Sequence, residues 1–290
     1  MEVLVTGGTG FIGREVARRL GKKHDVKLLT RKARKTEHSL AYGDVTSWHD
    51  VLRASHGCDA IIHMAAEVDP RASRDELDWV NVQGTWNVLN AAKENGVGKV
   101  VHMSSCSVTC RTLNPYGRSK LATETLARAH WVDMKVPIIR TPYVYDKDRL
   151  NALLRAPIIP VPQGAVWQLS WRQPLAQTIV NALERGRNKI YTVADRRPVQ
   201  AKELAETVAD RTGAKVFEFP TEFIGAGAVL AKPVELAFRC IGLRPPVTSD
   251  MVRSTFEDRR FDTSLASKEL GHRPADTIKT IRRLLKEAKK

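Results

Sequence analysis

Eight residues near the start of the chain, Thr6-Gly7-Gly8-Thr9-Gly10-Phe11-Ile12-Gly13, constrain its fold more than any other stretch. A short apolar run, Val3-Leu4-Val5, precedes them, and Phe11, Ile12, Val16, Ala17 and Leu20 continue at helical spacing. The pattern reads as strand, glycine loop, helix. Gly8, Gly10 and Gly13 meet the G-x-G-x-x-G spacing, and Gly7, Gly10 and Gly13 give an overlapping G-x-x-G-x-x-G. Glycine is required there because a tight turn must bring bare backbone N–H groups against a pyrophosphate and because the helix must pack closely on its strand. A glycine-rich surface turn is the bland alternative, and the flanking strand and helix patterns argue against it. Gly7, Gly10, Phe11, Ile12 and Gly13 are therefore the expected dinucleotide contacts.

The rest of the amino-terminal half alternates in the same way. Residues 24–30 read as a second strand, and a helix is expected from Ser47 to Ser55. A buried strand follows over Asp59 to Ala66, a long helix from about Glu76 to Asn95, and a fourth strand over Lys99 to Ser105. Strands alternating with helices of this length imply right-handed crossovers and an α/β fold with a doubly wound parallel sheet. At the end of the second strand a ribose 2′-hydroxyl is usually met by a carboxylate, whereas a 2′-phosphate is met by arginine. Here stand Thr30, Arg31 and Lys32, followed by Arg34 and Lys35, so NADP is expected, with NAD as the alternative. Asp44 is a candidate acceptor for an adenine amino group, or an ordinary loop aspartate capping a helix.

Beyond the fourth strand, Tyr116 and Lys120 lie four residues apart at the start of another predicted helix, on one face. A phenol of ordinary pKa is a poor acid or base at neutral pH, and a neighbouring ammonium lowers it. That lysine can also reach a cofactor ribose. A serine at the preceding strand end can hold the reacting oxygen. Tyr-x-x-x-Lys alone is a common accident on helices; downstream of a glycine loop, at the carboxyl ends of parallel strands, it carries weight.

Composition narrows the class further. At 290 residues and 42% hydrophobic, the chain can bury a large core with a smaller attachment. No charge-free apolar run reaches the roughly 18 to 20 residues of a membrane helix, and the first residues lack the layout of a secretory signal, so a cytoplasmic protein is expected. The four cysteines form no C-x-x-C pair and no zinc-ligand spacing, so reduced thiols and no metal are expected. A net charge of +15 raises the question of a nucleic-acid or membrane-surface binder. The basic residues are dispersed, with no basic-aromatic interleaving, so a solvated basic surface and no nucleic-acid partner are expected.

The order TGGTGFIG, GDV, IIHMAA, NVQGTWNVLNAA, VVHMSS, NPYGRSKLATE and VPIIRTPYVY resembles the extended short-chain dehydrogenase/reductases over nearly the whole chain. That group includes NDP-sugar epimerases and dehydratases, dihydroflavonol reductases and 3-beta-hydroxysteroid dehydrogenases. The resemblance implies that Ser105, Tyr116 and Lys120 match the catalytic trio and that Asn81 matches the helix asparagine supporting the lysine. It implies that Asp44 and Val45 contact adenine, that Ala65 and Ala66 lie beside the cofactor, and that Pro142 to Val144 lie near the nicotinamide. It also suggests a homodimer packed through residues 81–93 and 121–131. The chain departs from the family at Cys106 to Cys110, at Asp146-Lys147 and at Trp171 to Ala176, all on the substrate side.

The expected organisation is a Rossmann domain, 1–148 plus 175–213, and a smaller substrate domain, 149–174 plus 214–290. Phe223 to Phe238, broken by Lys232-Pro233, is expected as two short helices covering a core; roofing a greasy substrate or touching a membrane surface are the alternatives. The expected activity is NADP(H)-dependent hydride transfer to or from a secondary alcohol or ketone of a small, possibly apolar molecule. The alternatives are an NDP-sugar epimerase or dehydratase, for which Arg149, Arg155, Arg172, Arg239, Arg253 and Arg259 are candidate diphosphate partners, and a non-catalytic NADPH-binding or sensing protein.

Overall fold

The computed structural model describes residues 1–32, 35–111, 113–153, 157–241, 243–254 and 260–287. Seven strands form one sheet: β1 (Glu2–Thr6), β2 (Asp25–Thr30), β3 (Ser39–Tyr42), β4 (Ala60–His63), β5 (Lys99–Met103), β6 (Ile138–Arg140) and β7 (Ile190–Thr192). Their order is β7-β6-β5-β4-β1-β2-β3, and every pair is parallel. The order reverses between β1 and β4, which opens a crevice at the carboxyl ends of the strands.

Alternation along each strand feeds two cores. Val3, Val5, Ile62, Val101, Ile139 and Tyr191 point to one face, where they meet helices α1 (Gly13–Leu20) and, further along the chain, α5 (Arg172–Arg185). Leu4, Leu29, Ile61, Val100 and Ile138 point to the other face, against α2 (Trp48–Ser55), α3 (Gly84–Glu94) and α4 (Pro115–Ala129). A parallel sheet covered on both faces is the expected doubly wound architecture.

A smaller layer is built by α6 (Ala201–Thr212), α7 (Phe223–Cys240), α8 (Thr277–Glu287) and the parallel ribbon of Ile158–Pro162 with Lys215–Phe219. Its packing centres on Tyr145, Leu150, Val208, Ile281, Leu284 and Leu285.

Three elements differ from the sequence reading. Strand β3 was not anticipated: its four residues lie at the sheet edge and none is fully buried, so no apolar alternation marks it. The strand expected as the fourth is therefore the fifth. The long helix begins at Arg74, where Ser73 and Glu76 form a reciprocal capping box, and passes through a π turn, Asp78–Gln83, before α3. Residues 223–238 form one helix, α7, rather than two, and that helix buries only Ala228 and Ala231. Pro233 removes one helical N–H, but both it and Val229, whose carbonyl loses that partner, lie on the exposed side of the helix, where the loss costs less than in a core, and the helix continues. Among the described residues no helix is long and apolar enough to cross a membrane.

Candidate active site

The glycine loop follows β1 and is held by Gly10 N–H donating to the Gly7 carbonyl, 3.0 Å. Gly7 has φ +70, and a Cβ there would stand 2.7 Å from the Ala65 nitrogen. A Cβ on Gly13 would stand 2.1 Å from the Gly7 carbonyl oxygen, so only glycine lets α1 start where it does. Ile12 precedes α1 with no side-chain cap, and among the described residues the N–H groups of Phe11 and Ile12 donate to no backbone carbonyl. Bare N–H groups at a helix start form an anion cradle.

The cradle opens into a cleft of about 900 Å³. Gly7, Gly10, Phe11, Ile12 and Gly13 line it together with Arg31, Lys32, Asp44 and Val45 from the ends of β2 and β3. Ala65 and Ala66 line it after β4, and Ser105, Tyr116, Lys120, Pro142 and Val144 beyond β5 and β6. Thr6 ties the two central strands together under the floor: its hydroxyl oxygen accepts from the N–H groups of Met64 and Ala65, both 3.2 Å, and sits 2.7 Å from His63 Nδ1. Arg34, the remaining arginine of the basic loop, lies outside the described residues.

Around the adenosine end, Arg31 is exposed, with its Nη1 3.7 Å from Asp44 Oδ2. The other Asp44 oxygen accepts from the Thr46 N–H and hydroxyl, both 2.9 Å. Ser47, not Asp44, caps α2.

The opposite end is organised by the start of α4. Asn114 caps it, accepting from Gly117 N–H at 2.7 Å, and Pro115 occupies its first turn, which sets Tyr116 and Lys120 on the inner face. A Cβ on Gly117 would lie 2.9 Å from the Ser107 carbonyl, so this glycine lets α4 close on the segment that carries Ser105. The Tyr116 phenol shares a hydrogen bond with Ser105. Burial pushes that phenol up to about 12, with the Ser105 hydrogen bond pulling the other way and Cys106 adding to the rise. Lys120 is buried and donates from Nζ to the Met103 carbonyl at 2.6 Å. Burial lowers its ammonium to about 8, opposed by the charge of Glu124.

Asn81 does not line the cleft. It stands in the π turn, buried, where Nδ2 donates to Ser119 Oγ at 2.9 Å and to the Glu67 carbonyl at 3.1 Å, while Oδ1 accepts from Glu67 N–H at 2.8 Å. Ser119 in turn donates to the Tyr116 carbonyl at 2.9 Å. Its amide therefore braces the loop at Glu67 and the first turn of α4, and its hydrogen bonds do not include Lys120.

Several residues of the site carry no sequence signal. Two buried histidines, His63 and His102, stack with centroids 5.5 Å apart. Burial drives His63 down to about 3 and His102 well below its usual value, with the Lys120 ammonium adding to both, so both are neutral. Neither histidine lines the cleft, whereas Thr9, Glu67, Val68, Trp79, Thr141 and Tyr143 do. Of the candidate arginines, Arg149 lines the cleft, its guanidinium 4.0 Å from the Phe11 ring centroid. Arg172 lies 4.9 Å from the same ring and pairs with Asp146 at 2.7 Å. Arg239 pairs with Glu235 on α7, Arg253 lies exposed outside the cleft, and Arg155 and Arg259 fall outside the described residues.

Comparison with known proteins bears on family and fold. The model of the NAD dependent epimerase/dehydratase family matches residues 3–145. The 2-alkyl-3-oxoalkanoate reductase of Stenotrophomonas maltophilia is 34% identical over 120 residues, 40% of this chain and 36% of that protein. The 3 beta-hydroxysteroid dehydrogenase type 7 of Mus musculus is 36% identical over 120 residues, 36% of this chain and 32% of that protein. The aligned part thus spans about a third of the length of these curated relatives. In fold, a double mutant of the dTDP-glucose 4,6-dehydratase of Streptomyces venezuelae, solved with NAD bound, superimposes with a TM-score of 0.76 at 23% identity, covering 100% of this chain and 97% of that one. Residues 3–145, just under half of the chain, thus carry an NAD dependent epimerase/dehydratase family domain.

Proposed function

We propose that this protein is an NADP(H)-dependent oxidoreductase acting on a secondary alcohol or ketone carbon of a small organic molecule. The observation that carries the reading is the convergence of Ser105, Tyr116 and Lys120 on the cleft that the glycine cradle opens. A dinucleotide fits the cradle: its bare N–H groups match a diphosphate, and a side chain at Gly13 would strike the Gly7 carbonyl and disrupt the turn that presents them. Arg31 favours a 2′-phosphate over a free hydroxyl, and no carboxylate takes its place at the end of β2.

A bound nicotinamide supplies or accepts the hydride. Tyr116, held protonated by burial, gives its proton to the carbonyl oxygen in reduction, and Ser105 donates a hydrogen bond to that same oxygen. Lys120 supplies positive charge near Tyr116; that charge offsets the phenolate left after proton loss in reduction, and in oxidation it stabilises the phenolate that takes the hydroxyl proton. Asn81 acts at one remove, holding the backbone of Glu67 and the first turn of α4. Residues 149–174 and 214–290 form the substrate side in this reading. Trp86 and Val132, exposed on and beside the helices that flank residues 81–93 and 121–131, favour self-association there.

A second reading, NDP-sugar epimerase or dehydratase chemistry, is favoured by one observation: Arg149 places on the cleft wall a cation with no carboxylate partner among the described residues. In that chemistry the dinucleotide stays bound and is not consumed.

Replacing Tyr116 with Phe is expected to slow NADPH consumption, followed by absorbance against a carbonyl panel, by roughly 10²- to 10⁴-fold with NADPH affinity unchanged. Full activity in the variant overturns the assignment. Dinucleotide retained through purification and not consumed by the wild type favours the second reading.

A further inference from the structure

Helix α7 is the least explained element of the molecule. Of its 18 residues only Ala228 and Ala231 are buried, while Phe223, Val229, Leu230, Val234 and Leu236 are between 39% and 73% exposed. At roughly 3.6 residues per turn, these five fall within one arc of somewhat under half the circumference, which Ala226, Pro233, Ala237 and Cys240 complete. No charged residue interrupts the arc. A continuous apolar face of this kind on a folded surface marks an interaction site.

Charge indicates what covers it. The one acid within α7, Glu235, is turned away from the arc: one carboxylate oxygen pairs with Arg239 at 3.0 Å and the other accepts from Ser249 N–H at 3.2 Å. At the arc border Lys232 is exposed and makes no ion pair among the described residues, nor does exposed Arg253 on Ser249–Ser254, the short helix packed against α7. The whole chain carries +15. A second copy would bring the same charge against itself, whereas an anionic surface is attracted by it. An apolar arc bordered by basic side chains is the arrangement of helices that lie in the plane of a lipid interface.

The helix is also held in place. Just beyond it, Arg244 bridges Asp69 at 2.8 Å, Glu76 at 3.3 Å and Glu67 at 3.5 Å, and Glu67 lines the cleft. The apolar face is thereby fixed beside the cleft rather than on a free tail.

We propose that α7 seats the protein on the surface of an anionic lipid bilayer, lying in the interface without crossing it. This does not depend on the catalytic reading, since the lipid contact is made by α7 and its basic border, none of which lines the cleft. In co-sedimentation, the wild type is expected to pellet with vesicles of phosphatidylcholine and phosphatidylglycerol, less so at high salt, and to stay in solution with phosphatidylcholine alone. Leu230→Glu combined with Val234→Glu is expected to reduce binding at least about tenfold. Lys232→Glu alone is expected to reduce it about fivefold. NADPH titration serves as the control for folding, and both variants, altered only on the exposed face, are expected to bind it as the wild type does. Equal pelleting with both vesicle types, or a double variant that pellets like the wild type, overturns the proposal. So does a wild type that stays in solution and sediments as a dimer that the double variant dissociates, because the face is then covered by a second copy.

Discussion

At the scale of single residues, neighbours with the same chemistry take different partners according to which way the backbone turns them. Ser104 and Ser105 are adjacent and both line the cleft, yet Ser104 donates to Glu124 Oε1 at 2.6 Å, a carboxylate already held by Arg140, while Ser105 meets Ser107 and Tyr116. Glycines differ with their surroundings too. Gly13→Ala puts a methyl into the Gly7 carbonyl, backbone against backbone, and is expected to cost at least about 1–3 kcal/mol and to weaken dinucleotide binding. Gly98→Ala, where a Cβ meets nothing within 4 Å, is expected to be close to neutral. Urea unfolding and NADPH titration of the two variants check this, and a Gly13→Ala protein as stable as Gly98→Ala contradicts it.

Elements are joined by a few buried polar groups, and Asp195 is the clearest. Its carboxylate accepts from the Tyr145 hydroxyl after β6, from Thr277 at the start of α8, both 2.8 Å, and from Trp171 N–H ahead of α5, 3.0 Å. Burial nevertheless raises it from 3.8 to about 6, with those hydrogen bonds working in the opposite direction. A carboxyl with a raised folded pKa contributes stability that is fully present below the unfolded value and is lost as pH rises through the folded one. Unfolding free energy is therefore expected to fall by about 3 kcal/mol from this group between about pH 4 and pH 6. Asp195→Asn should flatten that slope in urea titrations; a slope unchanged in the variant assigns the effect elsewhere. The π turn has a comparable positional effect, since the extra residue it inserts into the helix coincides with Asn81 reaching both Glu67 and Ser119.

For the molecule as a whole, dinucleotide binding spans the reversal of strand order and should stabilise the entire sheet. NADPH at about a hundred times its Kd is expected to add about 2.7 kcal/mol, read as a rise in melting temperature. Arg31→Ala should reduce the NADPH effect roughly tenfold in affinity and leave NADH almost unaffected. An equal loss for both dinucleotides removes Arg31 as the 2′-phosphate contact. Much of this plan was legible from residue order: strand β1, the glycine loop and α1 are contiguous, and the alternation of Val3 and Val5 with Leu4 reports a sheet covered on both faces. The spacing of Tyr116 and Lys120 likewise places both on one helical face, and Asn114-Pro115 sets where that helix starts. Periodicity and capping are local properties, so one sequence determines them. Strand β3 was missed because an edge strand with no buried residue leaves no alternation to read. Tertiary structure alone decided that Asn81 braces Glu67 and Ser119, that Arg149 stands on the cleft wall and that the apolar run of α7 faces outward. Those outcomes depend on contacts between segments far apart in the chain, and apolar composition fixes a tendency to be covered without naming what does the covering.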